Sequence, residues 1–358
     1  MKNRVIEFDI VRAFAILLIL FRHLSQHSFN FYVFHLKGHL IDLTFIYSGE
    51  YYLGLGLFAF ISGYLLSKEN PSFEKWGDIK QFVLKRYIRI FPLYIVALLL
   101  FVAINGRNWG SLSICSFVLN LLGLQIIFAS KYCHPFMTLW FVGLILSYYY
   151  LFIVLVKLGR AVLRFIALAF TIFLFSALLI KLAGLMDETF LMFFGIFVAG
   201  ALGGRYKLIE RMKFRHLIFV SLLFIILGCF YGVFIHWKEM SPYRPSLPSL
   251  VYMSDIVLRN LIILSFVFIA FALARVIIRT DRYVFLQKIA YASYGMYLFH
   301  RPVWWIMVGI YNPADVRIKV LYLALFGIPL ITFVSYYIQK FYDKYFQKRL
   351  IQRIELKN

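Results

Sequence analysis

Charged residues and cysteines are both scarce in this chain. Only 15% of its 358 residues are charged and 63% are apolar, whereas a soluble domain has about a quarter charged and about half apolar residues. A soluble core cannot bury this excess of apolar side chains. The three cysteines, Cys115, Cys133 and Cys229, lie in or beside apolar stretches without metal-ligand spacing. We therefore expect buried, inert thiols, and neither a disulfide framework nor a zinc site.

Apolar runs of about 20 residues recur along the whole sequence, and each can cross about 30 Å of hydrocarbon as a helix. They predict an all-α, polytopic membrane helix bundle with about ten transmembrane helices. The stretch 112–128 is apolar but short, and it contains Ser116, Asn120, Gly123 and Gln125. We predict one re-entrant or interfacial helix there. The predicted spans are 9–28, 50–67, 88–104, 137–156, 162–182, 189–205, 215–235, 251–274, 287–310 and 318–339.

A net charge of +22 would suggest nucleic acid as the partner of a soluble protein, but here the basic residues cluster between the spans. Most lysines and arginines outside the spans fall on the side that holds the N-terminus, which predicts cytoplasmic N and C termini in a bacterial inner membrane. We divide the chain into a transmembrane domain, 1–345, and a basic cytoplasmic tail, 346–358. No internal repeat is evident, so an inverted-repeat transporter is not indicated.

Fifteen positions of the first span, 9–23, contain four ionisable residues, Asp9, Arg12, Arg22 and His23. Each costs roughly 2.5–3.5 kcal/mol inside a membrane, so each is a candidate for function or for pairing. Arg12 and His23 are eleven residues apart, which places them on one helix face about 16 Å apart. This layout suits an anion at one end and a proton transfer at the other. Alternatively, Arg12 pairs with Asp9 and His23 is an ordinary buried histidine.

Two further spans contain polar candidates. Arg86 and Arg89 share a helix face at the predicted cytoplasmic boundary, where their guanidinium groups suit phosphates, although the positive-inside rule also explains them. Pro92 follows and frees the backbone carbonyl of Ile88. In the ninth span, Tyr297 and His300 can face one cavity, although an aromatic belt would explain the tyrosine equally well.

Two kinds of site are not indicated. Ser62 in the second span lies in no G-x-S-x-G elbow, so we do not make it a hydrolase nucleophile. His35 and His39 have only Asp42 nearby in sequence, so we predict no metal site.

Six segments in order resemble the acyltransferase-3 family of integral-membrane acyltransferases. They are FDIVRAFAI at 8–16, the pair Arg12 and His23 as R-x(10)-H, GLFAFISGYLL at 56–66, RYIR at 86–89, LWF at 139–141 and SYGMYLFH at 293–300.

The resemblance implies an O-acetyltransferase that takes an acetyl group from cytoplasmic acetyl-CoA and delivers it to a sugar hydroxyl of a cell-surface polysaccharide or its lipid-linked precursor. The implied partners are acyl-CoA, the glycan acceptor, the lipid bilayer, and a second copy of the chain or other glycan-assembly proteins. The implied residues are Arg12, Arg86 and Arg89 for the CoA phosphates, His23, His300 and Tyr297 for catalysis, and Trp140, Ser62 and Asp9 for substrate binding.

The chain departs from the family pattern at two points. Phe141 and Ile145 stand where many members have the serine and glutamate of W-S-L-x-x-E, so no carboxylate role is carried over there. The extracytoplasmic esterase-like domain of some members is missing, so acceptor handling falls to the membrane part or to a partner. The alternative functions are a lipid-linked glycan flippase or other transporter, and a glycan polymerase.

Overall fold

The computed structural model describes residues 6–24, 44–70, 72–105, 114–128, 137–240, 249–280 and 283–355. Every regular element within these ranges is helical. The helices are α1 (Ile6–Leu24), α2 (Thr44–Glu69), α3 (Trp76–Asn105), α4 (Ile114–Leu121), α5 (Gln125–Phe128), α6 (Trp140–Leu158), α7 (Val162–Leu178), α8 (Thr189–Arg205), α9 (Leu208–Arg211), α10 (Phe214–Met240), α11 (Ser249–Ile278), α12 (Tyr283–Ile310), α13 (Val316–Tyr322), α14 (Ile328–Tyr342) and α15 (Lys348–Glu355).

Within the described ranges, six helical stretches are long and apolar enough to cross a membrane. They are Trp76–Ile104, Trp140–Leu158, Val162–Ala183, Phe214–Tyr231, Ser254–Ile278 and Arg317–Gln352. The shorter helix Thr189–Arg205 is also apolar. The all-α, multi-pass membrane architecture is thus confirmed for these ranges, whereas the total of ten spans and the side on which each terminus lies stay predictions.

The short apolar stretch that we expected to form one re-entrant or interfacial helix forms two helices instead. The first, α4, has 8 residues and the second, α5, has 4, and Gly123 between them adopts a left-handed conformation with φ +72°. Eight helical residues rise only about 12 Å. Neither helix can therefore cross the hydrocarbon layer, which agrees with the expectation that this stretch is not a span.

The last three helices form one continuous helical segment. A π-helical turn at Leu323–Gly327 joins α13 to α14, and a second at Asp343–Gln347 joins α14 to α15. Pro329 lies just after the first π turn and has no N–H to donate, which explains the local change in hydrogen bonding. The helix continues to Glu355, and the division between membrane domain and tail at residue 346 stays a prediction.

The helices form two compact units, each discontinuous in sequence. Unit 1 comprises Met1–Lys68 and Leu191–Ala290, and unit 2 comprises Glu69–Phe190 and Tyr291–Asn358.

In unit 1, glycines allow α2 and α8 to pack backbone against backbone. A Cβ atom added at Gly200 would clash with the carbonyl oxygen of Phe60, and one added at Gly204 would clash with that of Tyr64. A Cβ at Gly63 on α2 would in turn clash with the carbonyl of Phe197. Small residues of this kind are how membrane helices approach closely, so the S-G-Y segment of α2 has a packing role.

Charged side chains hold together one end of unit 1. The Arg275 guanidinium at the end of α11 donates to Glu7 Oε1 at 2.9 Å and to the carbonyl oxygens of Ile209 and Met212, each at 2.5 Å. Arg275 therefore joins the start of α1 to the connection between α8 and α10.

Glu210, in the short helix α9, joins the end of α2 to the connection between α8 and α10. Its carboxylate accepts a hydrogen bond from Lys68 Nζ at 2.6 Å and another from the Tyr64 hydroxyl. The start of α1 and the ends of α2, α8 and α11 thus lie at one end of unit 1.

The close packing of α2 on α8 predicts that Gly200→Ala destabilises the protein by about 1–3 kcal/mol, the usual cost of overpacking. The thermal unfolding midpoint of the detergent-purified protein should fall accordingly. Gly228→Ala in α10 is the matched control, because a Cβ there meets no atom of the described residues within 4 Å. Equal midpoints for the two variants would contradict this account.

The Glu210 network predicts a pH-dependent contribution to stability. Although partial burial opposes it, the hydrogen bonds from Lys68 and Tyr64 lower the pKa of Glu210 below its ordinary value of 4.5. A carboxyl group with a lowered folded-state pKa stabilises the fold above its unfolded pKa and loses this effect as pH falls through the folded pKa.

We therefore expect Glu210→Gln to lower the unfolding midpoint at pH 7 relative to the unsubstituted protein. The difference should shrink when the midpoints are measured at successively lower pH, beginning near pH 4.5. If the difference between the two midpoints stays constant down to the lowest pH at which the protein remains folded, Glu210 stabilises the fold by packing and not by its charge.

Candidate functional site

In unit 1, α1 holds Asp9, Arg12 and His23 on one unbroken helix. Asp9 and His23 are buried, and the unbroken helix keeps Arg12 and His23 on one face about 16 Å apart. Arg12 Nη1 lies 3.7 Å from Asp9 Oδ1. This is the ion pair that the sequence left open as an alternative, and its length exceeds that of a hydrogen bond. Ser62 is half-buried in α2.

In unit 2, Arg86 and Arg89 lie in the first half of α3. Arg86 Nη2 is 3.3 Å from Glu69 Oε2, and its guanidinium lies over the Phe82 ring, 5.4 Å from the centroid. Because 59% of the Glu69 side chain is exposed, this ion pair is worth only about 0–1 kcal/mol. Glu69 therefore holds Arg86 only weakly. Arg89 is exposed.

The backbone carbonyl of Ile88, which Pro92 leaves without its helical donor, accepts a hydrogen bond from a tyrosine. α3 continues through Pro92 as one helix, and the Tyr342 hydroxyl donates a hydrogen bond to Ile88 O. Two residues further along α3, the Tyr294 hydroxyl donates to Ile90 O at 2.8 Å. The prediction of a freed carbonyl at this point is confirmed, and two tyrosines attach α12 and α14 to α3 close to Arg86 and Arg89.

A double-mutant cycle tests the pairing of Tyr342 with the carbonyl of Ile88. We expect Tyr342→Phe to destabilise the protein by about 1–3 kcal/mol, because it leaves the partly buried carbonyl of Ile88 without this donor. In a Pro92→Ala background the new N–H of residue 92 can bond to Ile88 O, so the same substitution should cost less. The measurement is the denaturation midpoint of all four proteins, and a coupling energy of zero would contradict the pairing.

A buried polar network lies at the start of α6 in unit 2. The Tyr297 hydroxyl on α12 donates to the carbonyl oxygen of Thr138, and Gln125 Nε2 donates to the carbonyl oxygen of Leu139 at 3.2 Å. Thr138 and Leu139 belong to the 3₁₀ turn Met137–Leu139 that precedes α6. Two helices are therefore joined to adjacent carbonyls of one turn.

The network continues into α3 and α4. Gln125 Nε2 also reaches the Tyr94 hydroxyl at 3.3 Å, and that hydroxyl donates to the carbonyl oxygen of Asn120 at 2.6 Å. Sequence reasoning recognised Asn120 and Gln125 only as polar residues that argued against a span. The sequence does indicate that these two amides need hydrogen-bond partners, because they lie in an apolar stretch. It does not identify Tyr94 or the 3₁₀ turn as those partners.

His300, on α12, is fully buried one turn after Tyr297. Its Nδ1 lies 3.1 Å from Met296 O and 2.8 Å from Tyr297 O. Carbonyl oxygens only accept, so the neutral ring carries its proton on Nδ1 and its lone pair on Nε2. This tautomer makes Nε2 the nitrogen that can take a proton. The Trp304 ring packs edge-on at 5.3 Å.

The structure therefore joins Tyr297 to the 3₁₀ turn in unit 2, with the His300 ring centroid 6.3 Å from that of Tyr297. Trp140 begins α6 directly after that turn, is half-buried and contacts the Phe141 ring at 5.8 Å. Arg86 and Arg89 lie further back along α3, with Arg86 about 12 Å from Tyr94 by helix rise. The other predicted site residues belong to unit 1 and are Asp9, Arg12, His23 and Ser62.

Within the described ranges, no three His, Cys, Asp or Glu side chains are grouped to hold a metal ion. Cys115 and Cys229 are free and exposed on the surface of the chain, so the expectation of buried thiols is wrong for these two. The physical reason is that apolar membrane helices turn apolar residues outward to lipid as well as inward. His35, His39 and Cys133 lie outside the described residues.

This combination of membrane-crossing helices with buried histidine, amide and arginine side chains defines a multi-pass membrane protein with a polar interior. Residues 5–340 match the model of the acyltransferase-3 family, described as an acyltransferase domain. The chain belongs to this family, which implies that it is a membrane acyltransferase. The match includes every site residue predicted from the sequence. Searches among curated proteins and solved structures find no significant match.

Proposed function

We propose that the chain is an O-acetyltransferase of the bacterial inner membrane. It transfers an acetyl group from cytoplasmic acetyl-CoA to a sugar hydroxyl of a cell-surface polysaccharide or its lipid-linked precursor. The observation that carries this proposal is the family match over residues 5–340. The acetyl-CoA donor and the sugar acceptor are what membership of this family suggests.

Three arginines bind the phosphates of CoA in this proposal. Arg86 and Arg89 lie at one end of α3, and Arg12 lies near the start of α1. Guanidinium forks suit phosphate oxygens because they donate two parallel hydrogen bonds. The long Arg12–Asp9 ion pair and the exposed Arg86–Glu69 ion pair are both weak enough to give way to a dianionic phosphate.

His23 is the proposed general base. Its imidazole takes the proton of the acceptor hydroxyl while the hydroxyl oxygen attacks the thioester carbonyl carbon. The carbon–sulfur bond then breaks, and CoA leaves as a thiol once its sulfur has regained a proton. General-base catalysis of this kind contributes about 10²–10⁴-fold. His300 and Tyr297 orient the acceptor, Trp140, Ser62 and Asp9 contact the substrates, and no metal ion is required.

Mass spectrometry of the surface glycan from a strain lacking the chain tests the reaction class. We expect the glycan to be exported at normal length without its acetyl groups, and to regain them on complementation. Loss of all exported glycan would instead identify a flippase, and shortened glycan chains would identify a polymerase.

Purified variants test the residue roles with labelled acetyl-CoA. We expect Arg86→Ala to raise the KM for acetyl-CoA about 10-fold or more, the cost of a lost charged hydrogen bond. Glu69→Gln is the matched control and should not raise this KM, because it removes only the group that competes with phosphate. We expect His23→Ala to lower kcat by about 10²–10⁴-fold. Unchanged kinetics in either alanine variant, at normal membrane abundance, would contradict its role.

A further inference from the structure

Two deeply buried side chains beside the 3₁₀ turn of unit 2 have unused hydrogen-bonding atoms. Gln125 is 0% exposed and Thr138 is 3% exposed. Gln125 Oε1 and Thr138 Oγ1 have no hydrogen-bond partner among the described residues. A buried polar atom without a partner costs about 1–3 kcal/mol, and each one in a native fold calls for an explanation.

The neighbouring groups determine which atom of the Gln125 amide is left over. The carbonyl oxygen of Leu139 can only accept, so the amide nitrogen must face it. The Tyr94 hydroxyl gives its proton to Asn120 O, so it too accepts from the amide nitrogen. Both donor directions are therefore used, and Oε1 remains as a pure acceptor.

A third side chain at this turn also offers an acceptor. The Tyr297 hydroxyl gives its proton to Thr138 O, so its oxygen keeps only acceptor capacity. Of Gln125, Thr138 and Tyr297, only the Thr138 hydroxyl can donate as well as accept. None of the three side chains carries a charge in these forms.

We infer that Gln125 and Thr138 form the subsite that binds a neutral, hydroxyl-rich part of the acyl acceptor. This inference rests on the proposed function. Several acceptors with a single donor match a sugar ring, whose hydroxyl groups donate freely, whereas phosphate or carboxylate oxygens would face lone pairs. A sugar O–H donates to Gln125 Oε1, and a neighbouring sugar hydroxyl bonds to Thr138 Oγ1.

Gly143 offers a way to disturb the subsite without removing a polar atom. A Cβ at this position on α6 would lie 2.7–2.8 Å from the Cδ, Nε2 and Oε1 atoms of Gln125. The amide group therefore lies flat against the glycine, and Gly143→Ala must displace it. Gly309→Ala, in α12 of the same unit, is the matched control because its Cβ meets no atom of the described residues within 4 Å.

Thr138 offers a second, independent variant. Thr138→Val keeps the shape of the side chain and removes the hydroxyl, while the bond from Tyr297 survives because it goes to the backbone carbonyl. Thr138→Ser keeps the hydroxyl and serves as the conservative rescue.

The acceptor in this experiment is the unacetylated glycan isolated from the strain that lacks the chain. We expect Thr138→Val and Gly143→Ala to raise the KM for this glycan about 5–10-fold, the value of one hydrogen bond. The KM for acetyl-CoA should stay within about twofold, because the subsite does not contact the donor phosphates. Thr138→Ser and Gly309→Ala should behave like the unsubstituted protein.

The outcomes separate the two proposals. If the unsubstituted protein does not acetylate the glycan, the proposed function fails. If it does, and Thr138→Val and Gly143→Ala leave the KM for the glycan unchanged or raise both KM values equally, the subsite is wrong. Gln125 and Thr138 would then bind a structural water, as unused buried polar atoms often do.

Discussion

A backbone carbonyl inside a bilayer cannot find a water molecule, so any carbonyl released from helical bonding needs a protein donor. In unit 2, tyrosine hydroxyls repeatedly donate to backbone carbonyls. The pairs are Tyr94 with Asn120 O, Tyr148 with Phe190 O, Tyr294 with Ile90 O, Tyr297 with Thr138 O and Tyr342 with Ile88 O. The carbonyl of Ile88 is the one that Pro92 frees, and those of Asn120 and Thr138 lie near the end of a short helix and in a 3₁₀ turn.

This constraint also explains the chemistry of the polar interior. A tyrosine that gives its proton to a carbonyl has only lone pairs left for a ligand. The irregular backbone around α4, α5 and the 3₁₀ turn therefore creates a region rich in hydrogen-bond acceptors, to which Gln125 Oε1 adds another. Such a region suits a hydroxyl-rich acceptor, whereas the arginines on α1 and α3 suit an anionic donor. The two substrate types of the proposed reaction are thus matched by two different kinds of polar group.

The ion pairs at the proposed donor site are consistent with exchange between protein carboxylates and ligand phosphates. Arg86 has a mostly exposed partner in Glu69, and Arg12 has a buried but distant one in Asp9. By contrast, Arg275 makes three short bonds to Glu7 and to two backbone carbonyls of unit 1. The proposed function accordingly gives Arg275 a role in the fold and assigns Arg12 and Arg86 to the CoA phosphates.

The sequence by itself determined the membrane class, most of the helix positions, the family and the face shared by Arg12 and His23. These follow from hydropathy, helix periodicity and local motifs, which act over a few turns of one helix. It also located the carbonyl freed by Pro92, because proline removes a known hydrogen bond. Only the tertiary structure decided that Tyr342 satisfies this carbonyl. Likewise, it alone showed that the stretch 114–128 breaks into two helices. It also showed that Gln125 and Thr138, beside Tyr297, have acceptor atoms without a partner among the described residues. Such pairings join residues far apart in sequence. They depend on how the helices pack, which local sequence patterns do not predict.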